Sequence, residues 1–305
     1  MIIINSDKCR LHEMGEHHPE RPARLDAISD QLIASGLEYS LTFLEAEPID
    51  KQLLSLAHKS NYIDSLFSLS PKQGYAQVDP DTSMNKHSLE AALIAAGAGI
   101  QGIDLLMTDK ERKVFCAVRP PGHHAEADRA MGFCFFNNIA LAAKYALEKY
   151  SLNRVAILDF DVHHGNGTEN IVSGDHRVLF CSIFQHPFYP YTSLDNTSSN
   201  VINVPLSAGA KGMEFREKIW EHWFPSLEAF QPELVLVSAG FDGHLEDEMA
   251  QWCLVEDDYF WVSQKIRDLA EKHCSGRVLS MLEGGYALSA LGRSVVAHLK
   301  GLLPG

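Results

Sequence analysis

The sequence predicts an α/β fold: one domain over residues 1–305, built on a parallel β-sheet with helices on both faces. Two observations lead to it. Short β-branched runs, several of them apolar throughout, alternate with longer stretches of helical period, as expected for parallel strands buried on both faces and joined by helices. The unusual polar residues fall just after those apolar runs, where open α/β sheets bind their ligands.

In chain order, MIII at 1–4 reads as a strand, followed by helical patterns at 22–35 and 87–107. KVFCAV at 113–118 is the next strand and 137–150 the next helix. RVAILD at 154–159, VLFCSI at 178–183 and LVLVS at 234–238 are strands, with a helix at 213–230 before the last of them. Helix 256–273, strand RVLSML at 277–282 and helix 289–302 complete the series. No internal repeat and no Pro/Gly/Ser-rich linker divides the chain.

Lys and Arg number 26 against 40 Asp and Glu, a net charge of −14 spread along the chain. Nucleic-acid binding needs a positive field to displace phosphate counterions, so that function class is excluded. An acidic surface favours encounter with a cationic substrate, or simply keeps the protein soluble. Six cysteines, at 9, 116, 134, 181, 253 and 274, form no C-x-x-C pair, and several lie in apolar strings. They read as buried small hydrophobes in a reducing compartment. The opening MIIINSDKCR does not read as a signal peptide, and no apolar run reads as long enough to cross a bilayer. The expectation is a cytoplasmic protein without a membrane partner; an oligomer is compatible with the sequence.

Four polar motifs follow four of the strands: RPPGHHAE, DFDVHHGNGT, SAGFDGH and LEGGY. Asp161 and His163 are two apart, and in an extended segment such residues point to one side. They would meet one ion there without the chain turning, with Asp242 as third ligand and a position left for water. Two carboxylates leave the bound water less acidified than three histidines would, so a neighbouring base gains importance. Such ligation also selects weakly among divalent ions. Taken singly, the two aspartates read as turn or capping residues and His163 as a satisfied core histidine. Together at strand ends beside a histidine pair, they read as a site. His123 and His124 titrate in the range a hydrolase needs for both proton transfers. Tyr286, after Gly284-Gly285, reads equally as a core tyrosine or as a donor to a developing oxyanion.

With HHPERPARL (17–25), DPDTSMN (79–85) and GFCFFNNIA (132–140), these motifs resemble the histone deacetylase family of the arginase-like α/β fold, its class II branch in particular. The resemblance spans nearly the whole chain. It implies hydrolysis of the acetamide of acetyl-lysine in proteins or peptides, or of an acetylated polyamine or other small amine. It also implies one Zn2+ on Asp161, His163 and Asp242, with Fe2+ as an alternative, and a K+ site behind it at Asp159 and Ser182. His124 would be the general base and also the acid, His123 would assist or share the proton work, and Asp159 would orient His123. Asn166 stands behind His124 where an aspartate is common, which should leave that imidazole with a lower pKa. Tyr286 would hydrogen-bond the scissile carbonyl. Gly132 and Phe133 would form one wall of the acyl-lysine channel and Tyr189 the other, with Asp81 holding substrate at the rim. Arg24 would line an internal acetate channel.

Some positions depart from the family pattern. Tyr191-Thr192-Ser193 replaces a glycine-rich rim segment, and Ala287 follows Tyr286 where a polar residue is common. Met249 takes the gate position at which polyamine specialists carry a glutamate, although Glu248 adjoins it. Gly165 stands where two-manganese ureohydrolases need a bridging aspartate. A non-catalytic acetyl-lysine binder should lack a ligand, a histidine or the tyrosine, and none is missing.

Overall fold

The computed structural model of the chain describes residues 1–195 and 198–304. Its strands, in chain order, are β1 (Ile2–Asn5), β2 (Thr42–Glu45), β3 (Ala76–Asp79), β4 (Thr82–Met84), β5 (Lys113–Ala117), β6 (Val155–Asp159), β7 (Val178–Gln185), β8 (Val201–Leu206), β9 (Leu234–Ala239) and β10 (Val278–Leu282). The α-helices are α1 (Ala23–Ala34), α2 (Ser60–Leu69), α3 (Ser88–Met107), α4 (Asn138–Tyr150), α5 (Asn166–Val172), α6 (Gly212–Phe230), α7 (Glu256–His273) and α8 (Leu288–Leu302). Eight strands form one sheet in the order β2-β1-β5-β10-β9-β6-β7-β8, and every pairing in it is parallel. β3 and β4 make a separate antiparallel hairpin whose turn carries Asp81.

The period-2 alternation of a strand puts helices on both faces of the sheet. Along β10, Leu279 and Met281 pack on α3 beside Gly102 and Gly99. Ser280, between them, points the other way and hydrogen-bonds His298 of α8 at 2.8 Å. One connected hydrophobic core links both layers, and β5, β6, β7, β9 and β10 are buried along their whole length.

The elements read from sequence lie within one or two residues of those observed. The short α2, β3, β4 and α5 were not read, and two missed strands of the main sheet share a cause. β2 and β8 are the edge strands, and their partly exposed residues break the apolar run that marks a central strand. One expectation is corrected. α3 is a 20-residue helix with a window of mean hydropathy 1.4, long and apolar enough to cross a bilayer by length and composition. Its apolarity has another origin: 67% of that window is buried inside the fold, so the helix is apolar nearly all round because it is covered nearly all round. Five of the six free cysteines are buried as expected, and Cys253 is exposed.

Candidate active site

The four strands carrying the polar motifs are sheet neighbours, β5-β10-β9-β6, so their carboxyl ends open on one place. His123 and His124 follow β5, Tyr286 follows β10, Asp242 follows β9, and Asp159 ends β6 just before Asp161 and His163.

Asp161, His163 and Asp242 are buried, and one ligand atom from each lies within 4.8 Å of the others. Asp161 and His163 meet differently from the expected extended arrangement. The chain bends after β6, and Asp161 Oδ1 accepts the backbone N–H of His163 at 2.9 Å. That short polar turn presents both side chains inward. The set fits a divalent cation. Asp242 Oδ2 takes no aligned hydrogen bond although His163 Nδ1 lies 3.2 Å away, and two carboxylates with one imidazole suit a hard or borderline dication. Gly284 makes the clustering possible, because a Cβ there would lie 2.0 Å from Asp242 Oδ2 and 2.7 Å from Asp161 Oδ2. Its N–H donates to Asp161 Oδ2 at 2.8 Å.

These groups shift each other's charge. Burial opposes the charge on Asp161, yet the imidazoles of His123 and His163 hold it well below the ordinary carboxylate range. Burial and the neighbouring charge of Asp161 push Asp242 up to about 6. Burial disfavours a charged His163, but its contact with Asp161 and the negative charge of both nearby aspartates raise it to about 10.

The adjacent histidines, their rings 4.0 Å apart, have opposite electrostatics. His123 Nδ1 is 3.0 Å from Asp159 Oδ2. Burial works against its charge, but Asp161, Asp159 and Glu283 overcome that and push it up to about 10. His124 Nδ1 is 2.8 Å from Asn166 Oδ1. Burial and repulsion from His123 and His163 press its pKa well below the ordinary value. One histidine is thus held charged and the other neutral.

His124, His163, Tyr286, Phe188, Met249, Asp81, Gly132, Phe133 and Tyr189 line a cavity of about 270 Å³. Gly132 (φ +56) and Phe133 (φ +68) are both left-handed; at Gly132 a Cβ would strike the His124 ring, 2.4 Å from Cδ2. The turn is tied down by Asp81 Oδ1, which accepts Gly132 N–H at 3.1 Å, and by Thr82 Oγ1, which accepts Phe133 N–H at 2.9 Å. The Phe133 ring stands edge-on to Tyr286 at 5.8 Å. On the other side the Tyr189 ring stands edge-on to His124 at 5.3 Å, and its hydroxyl is buried without an aligned partner. Met249 lines the cavity, whereas Glu248 is exposed and outside it.

Other expected residues are also placed. Ser182 pairs in register with Asp159, and its buried hydroxyl has no hydrogen-bond partner among the described residues. Arg24 uses its donors on Gly285 O (Nε, 2.7 Å), Glu283 O and Glu20, with its guanidinium 4.9 Å from the Tyr286 ring centroid; it braces the tyrosine loop. Tyr191 is exposed, and Thr192 Oγ1 lies 3.1 Å from His164 Nδ1, so the rim segment is anchored without glycines. Ala287 offers its N–H to Asp247 at 3.0 Å.

Several partners escaped the sequence reading, Glu283 and Glu126 although they stand inside motifs it singled out. Glu283, of LEGGY, accepts the N–H groups of Gly122 (2.7 Å) and His123 (3.1 Å) and sits at about 7, raised by burial. Asp247 accepts Tyr286 N–H, and Phe188 stacks 5.6 Å from His163. Glu126, of RPPGHHAE, accepts from Asn166 Nδ2 at 2.8 Å.

The histone deacetylase domain model matches residues 18–302. An uncharacterised protein of Synechocystis, slr0245, is 38% identical over 99% of each chain. A histone deacetylase-like amidohydrolase of Pseudomonas aeruginosa is 33% identical over 93% of this chain and 77% of its own. The crystal structure of the HDA15 HD domain superposes with a TM-score of 0.93 at 35% identity, covering 99% of this chain and 87% of that one. The family model, these likenesses and the shared parallel-sheet fold lead to one conclusion: the chain is a hydrolase that belongs to the histone deacetylase family.

Proposed function

We propose that the protein removes acetyl groups from acetyl-lysine in proteins or peptides, with one Zn2+ (Fe2+ as the alternative) held by Asp161, His163 and Asp242. Bound there, the cation would supply Lewis-acid polarisation of an acyl carbonyl and would acidify water. His124 is the residue placed to take a proton from the attacking water. Its Nδ1–H is committed to Asn166 Oδ1, so Nε2 of the neutral ring keeps its lone pair. His123, held charged by the carboxylates around it, steadies negative charge gathering at the carbonyl, and the histidine pair returns a proton to the departing amine. Burial keeps the Tyr286 phenol protonated, and it donates to the carbonyl oxygen as charge develops there. Water adds across the C–N bond, giving acetate and a free amine.

Phe133 and Tyr189 wall the channel for the aliphatic arm, Met249 lines it and Asp81 faces the mouth. In this reading Asp159 and Ser182 hold K+, an assignment supported by the unpartnered buried Ser182 hydroxyl. The observation that carries the proposal is geometric: Asp161, His163 and Asp242 bring ligand atoms within 4.8 Å of one another, and His163 lines the same cavity as His124 and Tyr286. The test compares turnover of acetyl-lysine peptides, acetylpolyamines and small acetamides with zinc- and iron-loaded protein. Preference for peptides supports the proposal. Preference for polyamines moves the substrate to small amines, and a metal-replete protein inert on all three is a binder.

A further inference from the structure

We propose that Glu126 is a positioning residue that sets the tautomer of His124 through the side-chain amide of Asn166. The inference rests on the reading of His124 as the base, and deepens it. An asparagine amide is two-faced: its oxygen accepts and its nitrogen donates, so either end can face an imidazole. If the oxygen faces Nδ1, the neutral ring carries its proton there and leaves Nε2 free to accept. If the nitrogen faces Nδ1, the proton sits on Nε2 and the ring is useless as a base. An aspartate at 166 would face no such choice, since a carboxylate only accepts. This chain has Asn166 and therefore needs something else to choose.

Glu126 makes the choice. Asn166 Nδ2 donates to Glu126 Oε1 at 2.8 Å while Asn166 Oδ1 is 2.8 Å from His124 Nδ1. Turning the amide over would set its oxygen against the Glu126 carboxylate, acceptor to acceptor. The glutamate is itself held, because Arg129 Nη2 donates to the same Oε1 at 3.0 Å and Glu126 N–H donates to Arg129 O at 2.9 Å. Its backbone carbonyl lies 3.0 Å from Nδ1 of the buried His58, whose Nε2 accepts Asn137 N–H at 2.9 Å, so His58 is the donor. The carboxylate thus acts one residue further from the imidazole than in a His–Asp pair, and it fixes polarity without placing a charge on His124. The accepting nitrogen stays Nε2.

The experiment reads the tautomer of His124 by 15N NMR of histidine-labelled full chain, and separately kcat/KM on an acetyl-lysine peptide with zinc-loaded enzyme. Wild-type protein is expected to carry the His124 proton on Nδ1. Glu126→Leu should populate the Nε2–H form and lower kcat/KM tenfold or more. Glu126→Gln should stay close to wild type, because its amide oxygen can still accept from Asn166 and its size preserves the packing. Adding Asn166→Asp to Glu126→Leu should restore the Nδ1–H form and most of the activity. An Nε2–H tautomer in the wild type overturns the proposal. So does a Glu126→Leu variant that keeps the wild-type tautomer, whether its activity falls or not. If the tautomers shift as expected in a protein inert on every acyl amide, the positioning role stands and the deacetylase reading fails.

Discussion

The Asp247 carboxylate accepts the backbone N–H of Tyr286 at 2.6 Å. It also accepts Ala287 N–H at 3.0 Å, while its other oxygen takes Met249 N–H at 3.0 Å. One buried carboxylate therefore ties the tyrosine loop to the turn that carries Met249. Asp247→Ala leaves three part-buried N–H groups short of an acceptor, each costing up to about 1–3 kcal/mol where water cannot replace it. The expected outcome is a turnover loss of about a hundredfold with one divalent ion still bound, measured by steady-state kinetics alongside metal analysis. Full activity would show that the loop holds itself.

Tyr286→Phe removes the hydroxyl and leaves the ring against Phe133. Losing one donor to a developing oxyanion typically lowers turnover by about a hundredfold to a thousandfold. Metal content and thermal midpoint should not move. Turnover within a few-fold of wild type would take Tyr286 out of the chemistry.

His163 holds a proton up to about pH 10 when no cation neutralises Asp161 and Asp242. Cation uptake near neutral pH must displace that proton. Titration calorimetry in two buffers of different ionisation heat should report about one proton released per ion, with affinity falling as pH falls. Asp242→Ala should abolish stoichiometric uptake. Binding without proton release would mean that the imidazole is not a ligand.

Two buried histidines outside the site should make the fold acid-sensitive. His58 is lowered to about 4 and His298 to about 3, both by burial, and His298 lies between the hydroxyls of Ser263 and Ser280. Between those values and the ordinary 6.5 the unfolded chain binds protons that the folded one refuses. Their contribution is complete above about pH 6.5 and is lost as pH falls toward 4 and then 3, on the order of 3 and 5 kcal/mol as upper bounds. The thermal midpoint of metal-free protein should drop steadily below pH 6.5. His298→Gln, less stable at neutral pH, should show a shallower drop; an unchanged slope would clear His298.

Burial and the nearby Asp81 carboxylate keep the Tyr189 phenol protonated, yet its hydroxyl has no well-aligned hydrogen bond among the described residues. An unsatisfied buried hydroxyl costs about 1–3 kcal/mol. Tyr189→Phe should therefore raise the thermal midpoint by a few degrees and leave acetyl-lysine turnover within a few-fold of wild type. A lower midpoint would reveal a partner that the resting geometry does not align.

The central half of the sheet was readable from sequence because β5, β6, β9 and β10 are buried on both faces and write that burial as unbroken apolar runs. The residues beyond them were readable too, since histidines and aspartates directly after such runs have few structural uses. The edge strands β2 and β8 were not, because half-exposed strands carry no such run. The local geometry at Asp161 and His163 was misread: a turn closed by a side chain leaves the same two-residue spacing as an extended segment.

What the sequence determined by itself is the inventory: strand–helix alternation, a carboxylate-imidazole-carboxylate set, two adjacent histidines and a tyrosine at strand ends. Only the tertiary structure decided their partners. Glu283 meets the backbone of Gly122 across 161 residues, Asn166 meets Glu126 across 40, and Asp247 meets Tyr286 across 39. The physical reason is that local patterns report burial and period over a few residues, whereas these contacts depend on which strands lie side by side. That order, β5-β10-β9-β6, is set by packing the whole sheet between its two helical layers.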